Sequence, residues 1–122
     1  MQINEKLLKG LQSTTLYENS TGATGTVTLS DSSANYDYIE IFFTDNNNAY
    51  NSVKVPNAND KYVSLTCYWV GASSNALYIN SKIISISGTS ITVYRYIQAN
   101  FEGSWSKSAV NNIKIYKVMG YK

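Results

Sequence analysis

Residues 82–97 read KIISISGTSITVYRYI, two β-branched runs on either side of a Ser-Gly-Thr-Ser break, the pattern of a single long β-hairpin. Ile84 and Ile86 on the first arm, and Ile91 and Val93 on the second, alternate with small or polar residues, as the buried side of a half-exposed sheet requires. Gly88 supplies the positive backbone angle needed for a tight reversal.

The same period of two extends outward in both directions. Upstream, Thr15-Leu16-Tyr17 and Thr24 to Leu29 read as the first two strands, with Gly22 and Gly25 as a turn between them. Asp31-Ser32-Ser33-Ala34-Asn35 is a polar connection. Tyr38 to Phe43 follows, with Ile39, Ile41 and Phe43 assigned to the core and Tyr38, Glu40 and Phe42 to the opposite face. Asp45 to Asn48 forms a turn cluster, Tyr50 to Val55 the next strand, and Pro56 its end, because proline cannot donate to a ladder. The most apolar run, Tyr62 to Val70, has Val63, Leu65, Cys67 and Trp69 on one side and is expected to be a central strand. Leu77 and Ile79 lead into the hairpin, whose second arm extends through Ala99. The last strand spans Asn112 to Tyr121, with Ile113 and Ile115 on one face and Tyr116 and Val118 on the other, so both faces are expected to be covered.

About eight short strands without intervening helices, in a chain of 122 residues, predict one all-β domain over 13–122, an antiparallel sandwich of jelly-roll-like type. Residues 1–12 are read as a short helical arm or attachment segment, in which Ile3, Leu7, Leu8 and Leu11 share one face. Their apolar side is expected to pack on the domain, a second copy or another protein of an assembly.

Composition excludes much chemistry. There is no histidine, which removes the usual general base, the serine and cysteine triads and the commonest transition-metal ligand. One cysteine allows no internal disulfide and no tetrahedral zinc set; Cys67 is expected to be a small buried side chain. Charged residues make up 15% of the chain, with a net charge of +2, and form no basic stripe for phosphates, so nucleic acid is not an expected partner. No segment approaches the ~20 apolar residues of a membrane span, and the amino terminus lacks a secretion signal. The carboxylates Asp37, Glu40, Asp45, Asp60 and Glu102 are the candidates for a glycosidase pair, but such a pair needs a cleft and a domain this small offers little room for one. The turn beginning at Asp45 has Pro56 where a calcium loop needs a glutamate. Asn19-Ser20-Thr21 fits a glycosylation sequon but is read as a turn. No enzymatic activity and no cofactor are expected.

What remains is eleven tyrosines and two tryptophans among many asparagines and serines. Tyrosine offers a flat ring and a hydroxyl, and asparagine both a donor and an acceptor, a mixture suited to sugars or protein surfaces. Ordinary strand preference for tyrosine accounts for the same content. Trp105, Tyr94 and Tyr96 lead the candidate ligand-binding residues, provided the two tyrosines share an exposed face; Tyr36, Tyr38 and Tyr50 follow.

The stretches Leu16-Tyr17, Gly25 to Ser30, Tyr36 to Ile41, Asn51 to Val55, Ile86 to Thr89 and Asn112 to Val118 resemble small β modules of phage and prophage tail or baseplate proteins of Gram-positive bacteria. That resemblance implies a non-enzymatic virion accessory protein, made in the bacterial cytoplasm without a signal peptide. It also implies a homo-oligomer, with a trimer favoured, that contacts other virion proteins and acts in particle assembly or host-surface glycan recognition. A monomeric carbohydrate-binding module or adhesin is the alternative the composition leaves open.

Overall fold

The computed structural model describes residues 12–44, 50–70, 77–100 and 113–122. The expected amino-terminal helix with Ile3, Leu7, Leu8 and Leu11, the Asp45 turn and Trp105 lie outside these residues. The described chain forms eight strands: β1 (Ser13–Ala23), β2 (Val27–Thr28), β3 (Tyr38–Thr44), β4 (Tyr50–Pro56), β5 (Lys61–Val70), β6 (Leu77–Ser87), β7 (Ser90–Asn100) and β8 (Lys114–Tyr121). They pair into two four-stranded sheets of order β1-β8-β3-β4 and β2-β7-β6-β5. Every described pairing is antiparallel. The inner faces of the two sheets share one apolar core, built from Leu16, Ile39, Ile41, Phe43 and Val118 on one side and Leu65, Ile84, Ile86 and Ile91 on the other. This is the expected sandwich.

The β6–β7 hairpin forms as its sequence predicts. Ser87 pairs with Ser90 around a two-residue loop. Gly88 takes φ of 57° and Thr89 stays at negative φ, the backbone of a type II′ turn, whose twist matches that of the strands it joins. Neighbouring segments hold this turn in place. Gly88 donates its backbone N–H to Asn59 Oδ1 at 2.8 Å and accepts at its carbonyl from Ser33 N–H at 2.9 Å, while Leu29 N–H reaches Thr89 O at 2.7 Å. The polar connection after β2 contains a single 3₁₀ turn, Ser33–Asn35, capped by the Ser32 side chain.

Three expectations change. First, β5 is an edge strand, not a central one. Its inner face is buried at Leu65 and Cys67, but Tyr62 and Tyr68 on its other face are 66% and 74% exposed. Tyrosines on a wet face lengthen an apolar run without adding a neighbouring strand. Second, β1 continues past the expected turn to Ala23, while β2 shrinks to two residues. The Thr24 carbonyl points at interior donors and leaves the strand pattern. Third, β8 does not need covering on both faces. Phe42 pairs with Lys117 and Phe43 with Ile115, so Tyr116 is an extra residue in β8 relative to β3. Such a β-bulge resets the alternation, and Ile113, Ile115 and Val118 all enter the same core, each at most 2% exposed.

Gly120 lies over the ring of Tyr36, where a Cβ would sit 2.6 Å from a ring carbon. Tyr36 cannot move away, because its hydroxyl donates to Asp31 Oδ2 at 3.0 Å. Gly120→Ala therefore overpacks the core and is expected to lower stability by about 1–3 kcal/mol in urea denaturation. Gly25→Ala, where a Cβ meets nothing within 4 Å, is the control and should leave the transition midpoint nearly unchanged.

Candidate functional site

The tyrosines singled out from the sequence fall into different environments. Tyr94 and Tyr96 do not share an exposed face. In the β6–β7 ladder Ile84 pairs with Val93 and Ile83 with Arg95, so Tyr94 is an inserted residue and the alternation shifts. Tyr94 turns outward, 60% exposed, edge-on to Tyr62 at 5.2 Å, with the Arg95 guanidinium 5.6 Å from its ring centre. Tyr96 turns inward and donates its hydroxyl to Thr24 O at 3.0 Å; loss of water around it raises its pKa. Tyr36 is a core residue clamped by Gly120 and Asp31. Removal from water, then its bond to Asp31, raises its pKa. Tyr38 lies on the outer face of the first sheet, stacked on Tyr121 at 4.6 Å and 11°, with Lys54 Nζ 5.8 Å from its ring centre. These four environments account for most of the tyrosine signal by structure alone.

Tyr50 is different. It begins β4, is 71% exposed, and meets Tyr116 edge-on at 5.1 Å and 90°. The two rings stand in an open cleft of about 290 Å³ lined by Ser20, Thr21, Gly22, Thr44, Tyr50, Lys114 and Tyr116. Two irregularities build it. The β8 bulge swings Tyr116 onto the outer face, where Phe42 supports its ring at 6.1 Å. On the other side β1 leaves its register between Glu18 and Ala23. Asn19 shapes that excursion, its Oδ1 accepting from Thr21 N–H at 3.1 Å and Thr21 Oγ1 at 2.8 Å, an Asx-type turn. Gly22 closes it at φ of 79°, its backbone against the stem of Lys114. The sequon asparagine is thus a turn residue.

The cleft presents an exposed aromatic face, a second ring at right angles, hydroxyl groups and the Lys114 ammonium, which has no carboxylate partner among the described residues. Desolvation, reinforced by Tyr50, raises the pKa of Tyr116, so its phenol is a neutral hydrogen-bonding group at physiological pH. Among the described residues, no acidic side chain lines the cleft and no cluster of potential metal ligands occurs. A smaller hollow at the opposite end, near Ser33, Tyr36, Asn57 and Asn59, offers less: Asn59 already serves Gly88 and Ser33. Of the carboxylates, Glu40 accepts from Tyr121 and Asp60 from Ser87 and Asn59. No helix among the described residues is long and apolar enough to cross a membrane.

A second unusual feature is internal. Lys82 is fully buried, its Nζ donating to Thr24 O at 2.9 Å and to Ile113 O, and lying 5.1 Å from the Tyr96 ring centre. It thereby ties the β1–β2 connection and the start of β8 to the second sheet. Beside it in β6, Asn80 is also buried, and its Oδ1 has no hydrogen-bond partner among the described residues. An amine that gives two hydrogens to carbonyls is a structural cation, not a nucleophile aimed at a ligand. Sequence reasoning passed over Lys82, Tyr116 and Lys114. Lys82 had a signal, since it shares parity with Ile84 and Ile86. Tyr116 had none, because its orientation follows from a bulge defined by the partner strand.

Compared with known protein families, with curated proteins and with solved structures, the chain has no significant match. The site therefore has to be interpreted from its own geometry.

Burial lowers the pKa of Lys82 to about 8, whereas the unfolded chain holds that proton up to the usual value near 10.5. The unfolded state thus binds the proton more tightly, and native stability is expected to rise as pH climbs from about 8 towards 10. Lys82→Met abolishes this slope and deprives the Ile113 carbonyl of its lysine donor, while Thr24 O keeps the Tyr96 hydroxyl, a cost of roughly 1–3 kcal/mol. Denaturant midpoints for both proteins between pH 7 and 10 check the sign, and parallel curves would refute it.

Proposed function

We propose that the protein is a non-enzymatic recognition module, a phage-type tail or virion accessory protein that acts in particle assembly or host-surface binding and contacts glycan through the Tyr50–Tyr116 cleft. The observation that carries the proposal is the exposed Tyr50 ring set against Tyr116 beside Lys114 and the Ser20 and Thr21 positions. A flat ring offers a surface for the C–H face of a sugar, and flanking hydroxyl and ammonium groups suit its oxygens. The ammonium favours sugars with an acidic substituent. Catalysis has no part in this reading, because a binding site needs only complementarity. The phage assignment rests on the sequence resemblance together with the all-β sandwich, and the assembled particle would supply multivalency to a weak site.

A second reading, a monomeric carbohydrate-binding module or adhesin, draws on the same exposed Tyr50 ring and needs no assembly for the contact. The two readings share the site and differ in assembly state.

Titration with neutral and uronic-acid oligosaccharides, followed by NMR shifts, tests the site. Tyr50→Ala is expected to weaken binding about tenfold with little change in stability, since the side chain is mostly in solvent and aromatic contacts are worth ~1 kcal/mol or more. Lys114→Gln should remove the preference for acidic sugars and its salt dependence. Binding unchanged by Tyr50→Ala but lost in Trp105→Ala would place recognition elsewhere, and no binding to either sugar class would end the glycan reading.

A further inference from the structure

A sheet edge is a row of unpaired backbone groups, and folded proteins usually blunt it with short strands, bulges, proline or charge. Among the described strands, three of the four edges are blunted. β2 has two residues, β1 is broken by two register shifts, and β4 carries Lys54 and ends in Pro56. The fourth, β5, runs ten residues, pairs with β6 without any register shift, and between Tyr62 and Tyr68 contains no proline, glycine or charge. Its one cation, Lys61, sits at the end, where Nζ bonds to Pro56 O at 3.0 Å.

The residues along this edge are self-complementary. Tyr62-Val63-Ser64-Leu65-Thr66-Cys67-Tyr68 reads nearly alike in both directions in size and polarity. Two copies paired antiparallel about a two-fold axis at Leu65 place Tyr62 opposite Tyr68, Val63 opposite Cys67, Ser64 opposite Thr66, and Leu65 opposite itself. Each residue meets a partner of the same parity, so the buried positions Leu65 and Cys67 stay on the core side and the exposed tyrosines stay on the outer side. The aromatic and hydroxyl pairings are of the kind that stabilise neighbouring strands. An isologous contact of this type closes at two, because it uses the β5 edge of both copies and the described strands offer no other long flat edge to extend the sheet.

We infer that the β5 edge is the interface of a homodimer, in which two sandwiches join through β5 into a continuous eight-stranded sheet. The paired stretch of seven residues spans only about 20 Å, so the contact falls at the small end of protein interfaces and association depends on concentration. This inference is independent of the glycan reading, whose cleft lies on the other sheet. It also leaves any three-fold assembly to a different surface.

The test is solution mass by sedimentation equilibrium over a wide concentration range on the full chain, alongside two variants. The unaltered protein should pass from 13.6 kDa to twice that mass. Ser64→Arg/Thr66→Arg confronts like charges across the axis and should weaken dimerisation about tenfold or more, as should Ser64→Glu/Thr66→Glu. Mixing the two variants should restore association as a heterodimer, which a simple folding defect cannot do. Unchanged thermal transitions confirm that both remain folded despite losing the Thr66–Ser81 hydroxyl contact. A monomer at all concentrations, a trimer, or a dimer indifferent to both charge variants would overturn the inference.

Discussion

In a regular strand, residues three apart point to opposite sides of the sheet. Ile115 and Val118 of β8 are nevertheless both buried in the same core, and this is possible only because Tyr116 is inserted between the residues that pair with Phe42 and Phe43. β8 lies between β1 and β3, so its phase sets which side chains of the first sheet face inward. Without the bulge, either Ile115 or Val118 would be in water. The same insertion puts Tyr116 on the outer face beside Tyr50 and creates one wall of the cleft. Core packing and the candidate site thus have a common origin, and the core and the shape of the cleft cannot vary independently at that position.

The interior around Lys82 is governed by a different balance. A buried cation is costly unless its hydrogens are satisfied, and here two backbone carbonyls and the face of Tyr96 supply partners without a carboxylate. Those carbonyls belong to Thr24 and Ile113, which adjoin connections between the two sheets. The lysine therefore holds strand ends that β pairing does not reach, at an energetic cost that its depressed pKa records. Tyr96 reinforces the arrangement by bonding to the same Thr24 carbonyl. A residue type expected on the surface becomes a tie between sheets.

Local irregularity also separates the faces by role. The outer face of the first sheet carries the cleft, with Tyr38 and Tyr121 stacked farther along it. The second sheet ends in β5, regular and uncharged over its middle, with Tyr62 and Tyr68 in solvent. Bulges protect β1 from edge pairing and shape one wall of the cleft; the lack of them in β5 leaves an edge able to receive a strand.

Alternation and turn chemistry are properties of a few consecutive residues, and what depends on them was legible in the sequence. Ile39, Ile41 and Phe43 face inward as their spacing predicts, Gly88 makes the hairpin turn, Pro56 ends β4, and the lack of histidine removes whole classes of catalysis. Tertiary structure alone decided the position of β5 at an edge, the insertion of β8 between β1 and β3, the opposite orientations of Tyr94 and Tyr96, and the meeting of Tyr50 with Tyr116. Each depends on how many residues of one strand lie opposite another that is distant in the chain. That count comes from cross-strand hydrogen bonding and core packing, and no local pattern in either strand contains it.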